Sequence, residues 1–239
     1  MVLDFVGGVL LTAVTVFNLS AFVNVLRVSP TAKLRIAGVA GLWIGTQVSL
    51  AAAGAFGGAL GLQVPLIGIM VVLPVLATAV AWGLSPAVRS ALIAVPMELL
   101  IGLNIGRVFG AFFLFLAVAG RLDGPFPISA GWGDVITGLA ALPLAVAVAR
   151  QTAGASTIHA WNAFGFLDLV LAVGLGTVSF NGFVLQLIEG GVGSYAVQRL
   201  PWSMIPTILV PFYLIIHGII FAQLREAALV RRQLRNGSV

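Results

Sequence analysis

The chain has 239 residues and a formal net charge of +5, with 60% hydrophobic and only 8% charged side chains. A soluble domain carries about 25% charged residues, so this composition excludes a water-covered globular protein. It predicts an all-α, polytopic membrane bundle whose main partner is the lipid bilayer. At about 20 residues per spanning helix there is room for roughly seven spans in one domain, residues 1–239, with a short basic tail from about residue 225. The basic residues fall beside the spans and at the C-terminus, which reads as topology and membrane-surface charge rather than nucleic-acid binding. With no cysteine, disulfides, thiolate metal sites and cysteine nucleophiles are excluded.

The first apolar run, Phe5 to Leu26, follows a start that lacks a signal-peptide n-region and carries Asp4, so it is expected to stay as a span. The linker after it holds Arg27, Pro30, Lys33 and Arg35. By the positive-inside rule this places the N-terminus outside and the C-terminus in the cytoplasm, in a plasma (inner) membrane. The second run, Ile36 to Leu60, has small residues at Gly41, Gly45, Ser49, Ala53, Gly57 and Gly61, which predicts the closest-packing helix of the bundle. Gln47 is expected to bond to a neighbouring helix. The third run, Val64 to Trp82, is uncharged and proline-bearing and is assigned no chemistry.

Ser85-Pro86 reads as an N-cap followed by a first-turn proline. With Pro96 inside it, the fourth run to Ala119, which carries Glu98 and Arg107, is too long for one straight span and is expected to be kinked or to begin as an interfacial segment. Its Gly102, Gly106 and Gly110 predict a ridge for close helix approach. The turn-rich loop Arg121 to Pro127 leads to AGWGD, which sets Asp134 in the outer half of the fifth span. Ser156 and Thr157 are the expected caps of the sixth helix, which bears His159, Trp161, Asn162 and Asp168. A segment from Asn181 to Pro201, with Glu189 and Arg199, is long enough for a short lid helix. The seventh helix is punctuated by Pro201, Pro206 and Pro211 and carries Tyr213 and His217. Trp132, Trp161 and Trp202 sit near span ends, where interfacial anchoring is the ordinary role.

Three of the seven acidic residues thus fall inside apolar spans, where each ionised group costs about 2.5–3.5 kcal/mol unless it is paired or wet. Depth along the helices separates two groups. Arg107, Asp134 and Asp168 form an expected outward-facing cluster, either a buried ion pair that only fixes helix register or an anion-binding or proton-coupled pocket that opens outward. Glu98, His159, Asn162 and His217 lie nearer the cytoplasmic end as an expected gate or relay. His159 and Asp168 are about 180° apart on their helix, so they cannot aim at one point.

The leading expectation is a membrane protein that binds or translocates a small ligand or protons. A first alternative is a b-type haem electron-transfer protein, with His159 and His217 as axial ligands or, more generally, metal ligands. A second is a structural subunit of a larger membrane complex. Seven spans invite the analogy with rhodopsins. A covalently bound retinal is excluded, because the only lysine is Lys33, in a loop. No hydrolase, nucleotide or dinucleotide signature is present, and no catalytic residue or reaction is selected.

Overall fold

The computed structural model describes residues 1–57, 66–180, 187–188 and 191–236. Leu60, Gly61, Val64, Pro65, Asn181 and Glu189 lie outside the described residues, as do the side chains of Arg231 and Arg235. Among the described residues there is no strand.

Seven helical segments are long and apolar enough to cross a membrane. The first three are α1 (Val2–Val25), α2 (Pro30–Ala52) and α3 (Leu66–Leu84). The short α4 (Pro86–Ile93) precedes the fourth, which is composite: α5 (Met97–Leu103), a 3-10 segment (Asn104–Gly110) and α6 (Ala111–Val118). Then come α7 (Pro125–Ala149), α8 (Ala155–Val178) and α9 (Val210–Asn236), the last entered through a π-turn at Ile205–Leu209.

Local chemistry explains most boundaries. Ser29 and Ser85 cap α2 and α4 by accepting the N–H of Ala32 and Val88, each with proline next in sequence. Pro96 separates α4 from α5, as its missing N–H requires. Two expectations are corrected. The helix at Pro125 begins earlier than the turn-rich sequence implies, because proline is tolerated in a first turn. Ser156 and Thr157 are not caps: α8 starts at Ala155 behind Gly154, with no side-chain cap.

The core is unevenly distributed. Windows of the fourth and seventh spans are 56% and 61% buried, whereas those of α2 and α3 are 11% and 6% buried. α7 lies along the whole fourth span, with α8 and α9 closing around it. α2 is therefore not the closest-packing helix. Side chains added at Gly38, Gly41 or Gly45 would meet nothing within 4 Å, so that row faces outward. Gln47 does point inward, donating to the Met70 sulfur of α3 at 3.5 Å.

The two ends of the bundle are tied differently. At the Met1 end Asp4 accepts from Trp202 Nε1 at 2.9 Å and pairs with Arg121 at 2.8 Å, joining α1, the loop after α6 and the entry to α9. Trp202 is fully buried there, stacked obliquely on Phe112, and so is a core residue rather than an interfacial anchor. Trp132 is exposed, whereas Trp161 is half-buried with its Nε1–H on the Thr137 carbonyl. At the opposite end Lys33 donates to the Asn24 carbonyl, and Gln223 donates to the carbonyls of Ile93 and Val95. Between α8 and α9 a short 3-10 turn, Tyr195–Gln198, occupies part of the expected lid.

A buried arginine network as the candidate functional site

Arg107 stands in the 3-10 segment, whose three residues per turn put Asn104, Arg107 and Gly110 in one row. That row faces α7 and is buried, with Asn104 at 0% and Arg107 at 2% exposure. The same tightening divides the expected glycine ridge. A Cβ on Gly106 would strike Tyr213 and Val14, one on Gly110 would strike Asp134, and one on Gly102 would only graze Ala145.

The guanidinium is held on three sides. Nε donates to Asp134 Oδ1 at 2.7 Å and Nη2 to Asp168 Oδ2 at 2.6 Å. Nη1 donates to the Gly165 carbonyl at 2.9 Å and meets His217 Nε2 at 3.0 Å. Because a guanidinium can only donate, Nε2 must be the acceptor nitrogen of a neutral imidazole, with its proton on Nδ1. Nδ1 lies 2.7 Å from Asn162 Oδ1, and Asn162 Nδ2 donates to the His217 backbone carbonyl at 3.1 Å. One chain of donors therefore fixes the tautomer, the amide orientation and the rotamer together.

Glycines make the room. A Cβ on Gly133 would lie 1.8 Å from Asp168 Oδ1, one on Gly110 2.2 Å from Asp134 Cβ, and one on Gly165 2.7 Å from His217 Cε1. The network occupies the space those missing side chains leave. Tyr213 adds a neighbouring contact, accepting from Asn18 Nδ2 at 2.9 Å across to α1. Asn18 Oδ1, Asn104 Oδ1 and Thr137 Oγ1 are buried without a partner among the described residues, so the interior has unused polar capacity.

Charge does not balance within the network. One guanidinium and two ionised carboxylates, with neutral His217, sum to +1 − 2 = −1. Asp134 also borders a cavity of about 50 Å3 with Phe113, Phe126, Thr177 and Ser194. A water needs about 10–15 Å3 on this measure, so the cavity has room for a few waters.

The two groups expected from depth merge in part. Asn162 and His217 belong with Arg107, Asp134 and Asp168, because a long arginine spans the difference in depth. Glu98 and His159 are not brought to that network: Glu98 makes no side-chain contact to it, and His159 is exposed, with its ring edge on Phe221. The opposed directions of His159 and Asp168 on their helix hold. Both ring nitrogens of His217 are engaged within the protein, so iron ligation there would displace Arg107 or Asn162. No group of three or more metal-ligating side chains occurs among the described residues. The residues missed from sequence are Asn18, Asn104, Thr137 and Gly165, while Tyr213 is noted on its helix but not assigned to the site; the amides were detectable as polar groups in apolar runs, but Gly165 acts through its carbonyl and leaves no compositional signal.

Fold and site together define a class: an all-helical protein with seven potential spans assembled around a buried arginine, carboxylate and imidazole network. The chain belongs to the family described as Domain of unknown function (DUF8737), which matches residues 64–225 and so includes Arg107, Asp134, Asn162, Asp168 and His217. No curated protein and no solved structure matches the chain.

Proposed function

We propose that this is an integral membrane protein, N-terminus outside and C-terminus cytoplasmic, in a plasma (inner) membrane, that binds and passes protons or a small cationic ligand through the Arg107 network. The observation that carries this reading is the surplus carboxylate. A net charge of −1 buried in lipid is costly, and a proton or monovalent cation held between Asp134 and Asp168 removes it. The cavity against Asp134 lies toward the Met1 end, which is the outer side in this orientation. His217 supplies a second state: a proton on Nε2 would replace the bond to Arg107 by repulsion between two cations at 3.0 Å. The network would then have to part, opening Asp168 toward Asn162 and the cytoplasmic half.

The test is proton flux into liposomes carrying a trapped pH dye, driven by a potassium diffusion potential. Wild-type protein is expected to acidify the lumen, and Asp168→Asn to fold normally but pass no protons. Equal flux in wild type and in Asp168→Asn would remove the reading. An infrared band of a protonated carboxylic acid, lost in Asp168→Asn or Asp134→Asn, identifies the group that holds the proton.

A further inference from the structure

Away from the network, α3, α4 and α9 leave an open crevice of about 700 Å3 at the arginine-rich end. Along α9 it runs from Leu214 to Leu229, about 22 Å of helix. One leaflet's hydrocarbon is about 15 Å deep, half of the bilayer core. The crevice therefore extends from a headgroup-level rim down into the acyl region. Its walls are mostly aliphatic. Its polar rim is Arg89, Arg225 and Glu226, with Trp82 beside Arg89 and the guanidinium 5.9 Å from the indole. Arg89, Arg225 and Glu226 form no ion pair among the described residues, so the rim offers two guanidinium donor groups against one carboxylate, a net charge of +1. Toward its deep end, one turn from Leu214, Gly218 lines the crevice, and a Cβ there would meet nothing within 4 Å. Gln223 clamps α9 to the α4–α5 junction beside the rim, so the arginines stand on fixed backbone.

We propose that this crevice is a binding site for one anionic phospholipid, with its phosphate held between Arg89 and Arg225 and an acyl chain laid along α3 and α9 past Gly218. The proposal rests on the membrane placement given above and is independent of proton passage. Three features select an anionic lipid over a zwitterionic one or a protein helix. Unpaired arginines at the cytoplasmic rim of an interhelical pocket match an anionic headgroup. An arginine fork grips phosphate in a way that a choline headgroup partly cancels. The apolar floor continues below the rim in the direction an acyl chain takes.

The experiment is native mass spectrometry of the full chain in detergent, titrated with phosphatidylglycerol, with phosphatidylcholine, and with soluble glycerol phosphate. The expected result is one saturable phosphatidylglycerol adduct, with phosphatidylcholine much weaker and glycerol phosphate negligible. Arg89→Gln and Arg225→Gln should each weaken that adduct roughly fivefold and the double variant about thirtyfold, with Arg89→Lys/Arg225→Lys retaining part. Gly218→Trp places an indole in the crevice from a position where a Cβ meets nothing within 4 Å, and should abolish the adduct while both arginines remain. Equal binding of the two lipids, an undiminished adduct in the glutamine double variant, or full binding by Gly218→Trp would each overturn the site. Binding of glycerol phosphate as tight as the lipid would overturn the acyl part. A chain that retains no lipid of any kind and stays soluble without detergent would instead defeat the membrane placement itself.

Discussion

Two glycine rows at the same four-residue spacing meet opposite fates. Gly41 and Gly45 on α2 face open space, whereas Gly106 and Gly110 in the fourth span would collide with Tyr213 and Asp134 if they carried side chains. Spacing alone makes a surface flat; it does not supply the neighbour. The fourth span has one because Arg107 must be surrounded, and the groups that accept from it stand on α7, α8 and α9. α2 holds no charge in its apolar centre, and its glycine row faces away from the helices it touches through Trp43 and Gln47. Close packing here follows the buried charge, and the glycines give it room.

Breaking the charge should have the largest effect. Arg107→Leu leaves Asp134 and Asp168 buried without their cation and is expected to cost about 3–5 kcal/mol, read as lost monodispersity after mild heating. If the variant stays as heat-resistant as wild type, the network does not organise the fold. Filling the glycine space comes next. Gly133→Val and Gly165→Val should each lose about 1–3 kcal/mol, because neither Asp168 nor His217 can retreat without losing Arg107. Asp168→Asn, by contrast, should lie within about 1 kcal/mol of wild type, since it keeps the shape and an acceptor while removing the surplus charge. A loss as large as that of Arg107→Leu would mean that both carboxylates are needed ionised. The smallest effect sharpens the comparison from the other side. Gly45→Ala should gain about 0.5–1 kcal/mol of helix stability with no change in oligomeric state by light scattering. A loss, or a shift in oligomer size, would show that the α2 row has a neighbour after all.

Much of the site was legible from the composition of the spans. Arg107, Asp134 and Asp168 stood out because ionisable groups in apolar helices demand partners, and they did prove to be each other's partners. Depth alone misassigned Asn162 and His217. An arginine side chain reaches several ångströms along the bundle, so residues at different heights can share one guanidinium. The row of Gly102, Gly106 and Gly110 was visible, but its division between two neighbours was not, because a 3-10 segment turns 120° per residue where an α-helix turns 100°. The position of Trp202 near a span end points to an interfacial anchor. It is buried because the Asp4 carboxylate on α1 accepts its indole N–H and Gly7 leaves room for the ring.

The sequence by itself determined that the chain is all-helical, where its apolar runs begin and break, which end collects the basic residues, and which charged groups must be satisfied internally. These follow from local terms: hydropathy over a span, proline's missing donor, and the cost of an isolated charge. Only the tertiary structure decided which helices enclose which. It joined His217 to Arg107 rather than to His159, turned the α2 row outward, and left a crevice rimmed by Arg89 and Arg225. Those outcomes depend on side chains far apart in sequence competing for one guanidinium and one volume, and no local periodicity records that competition.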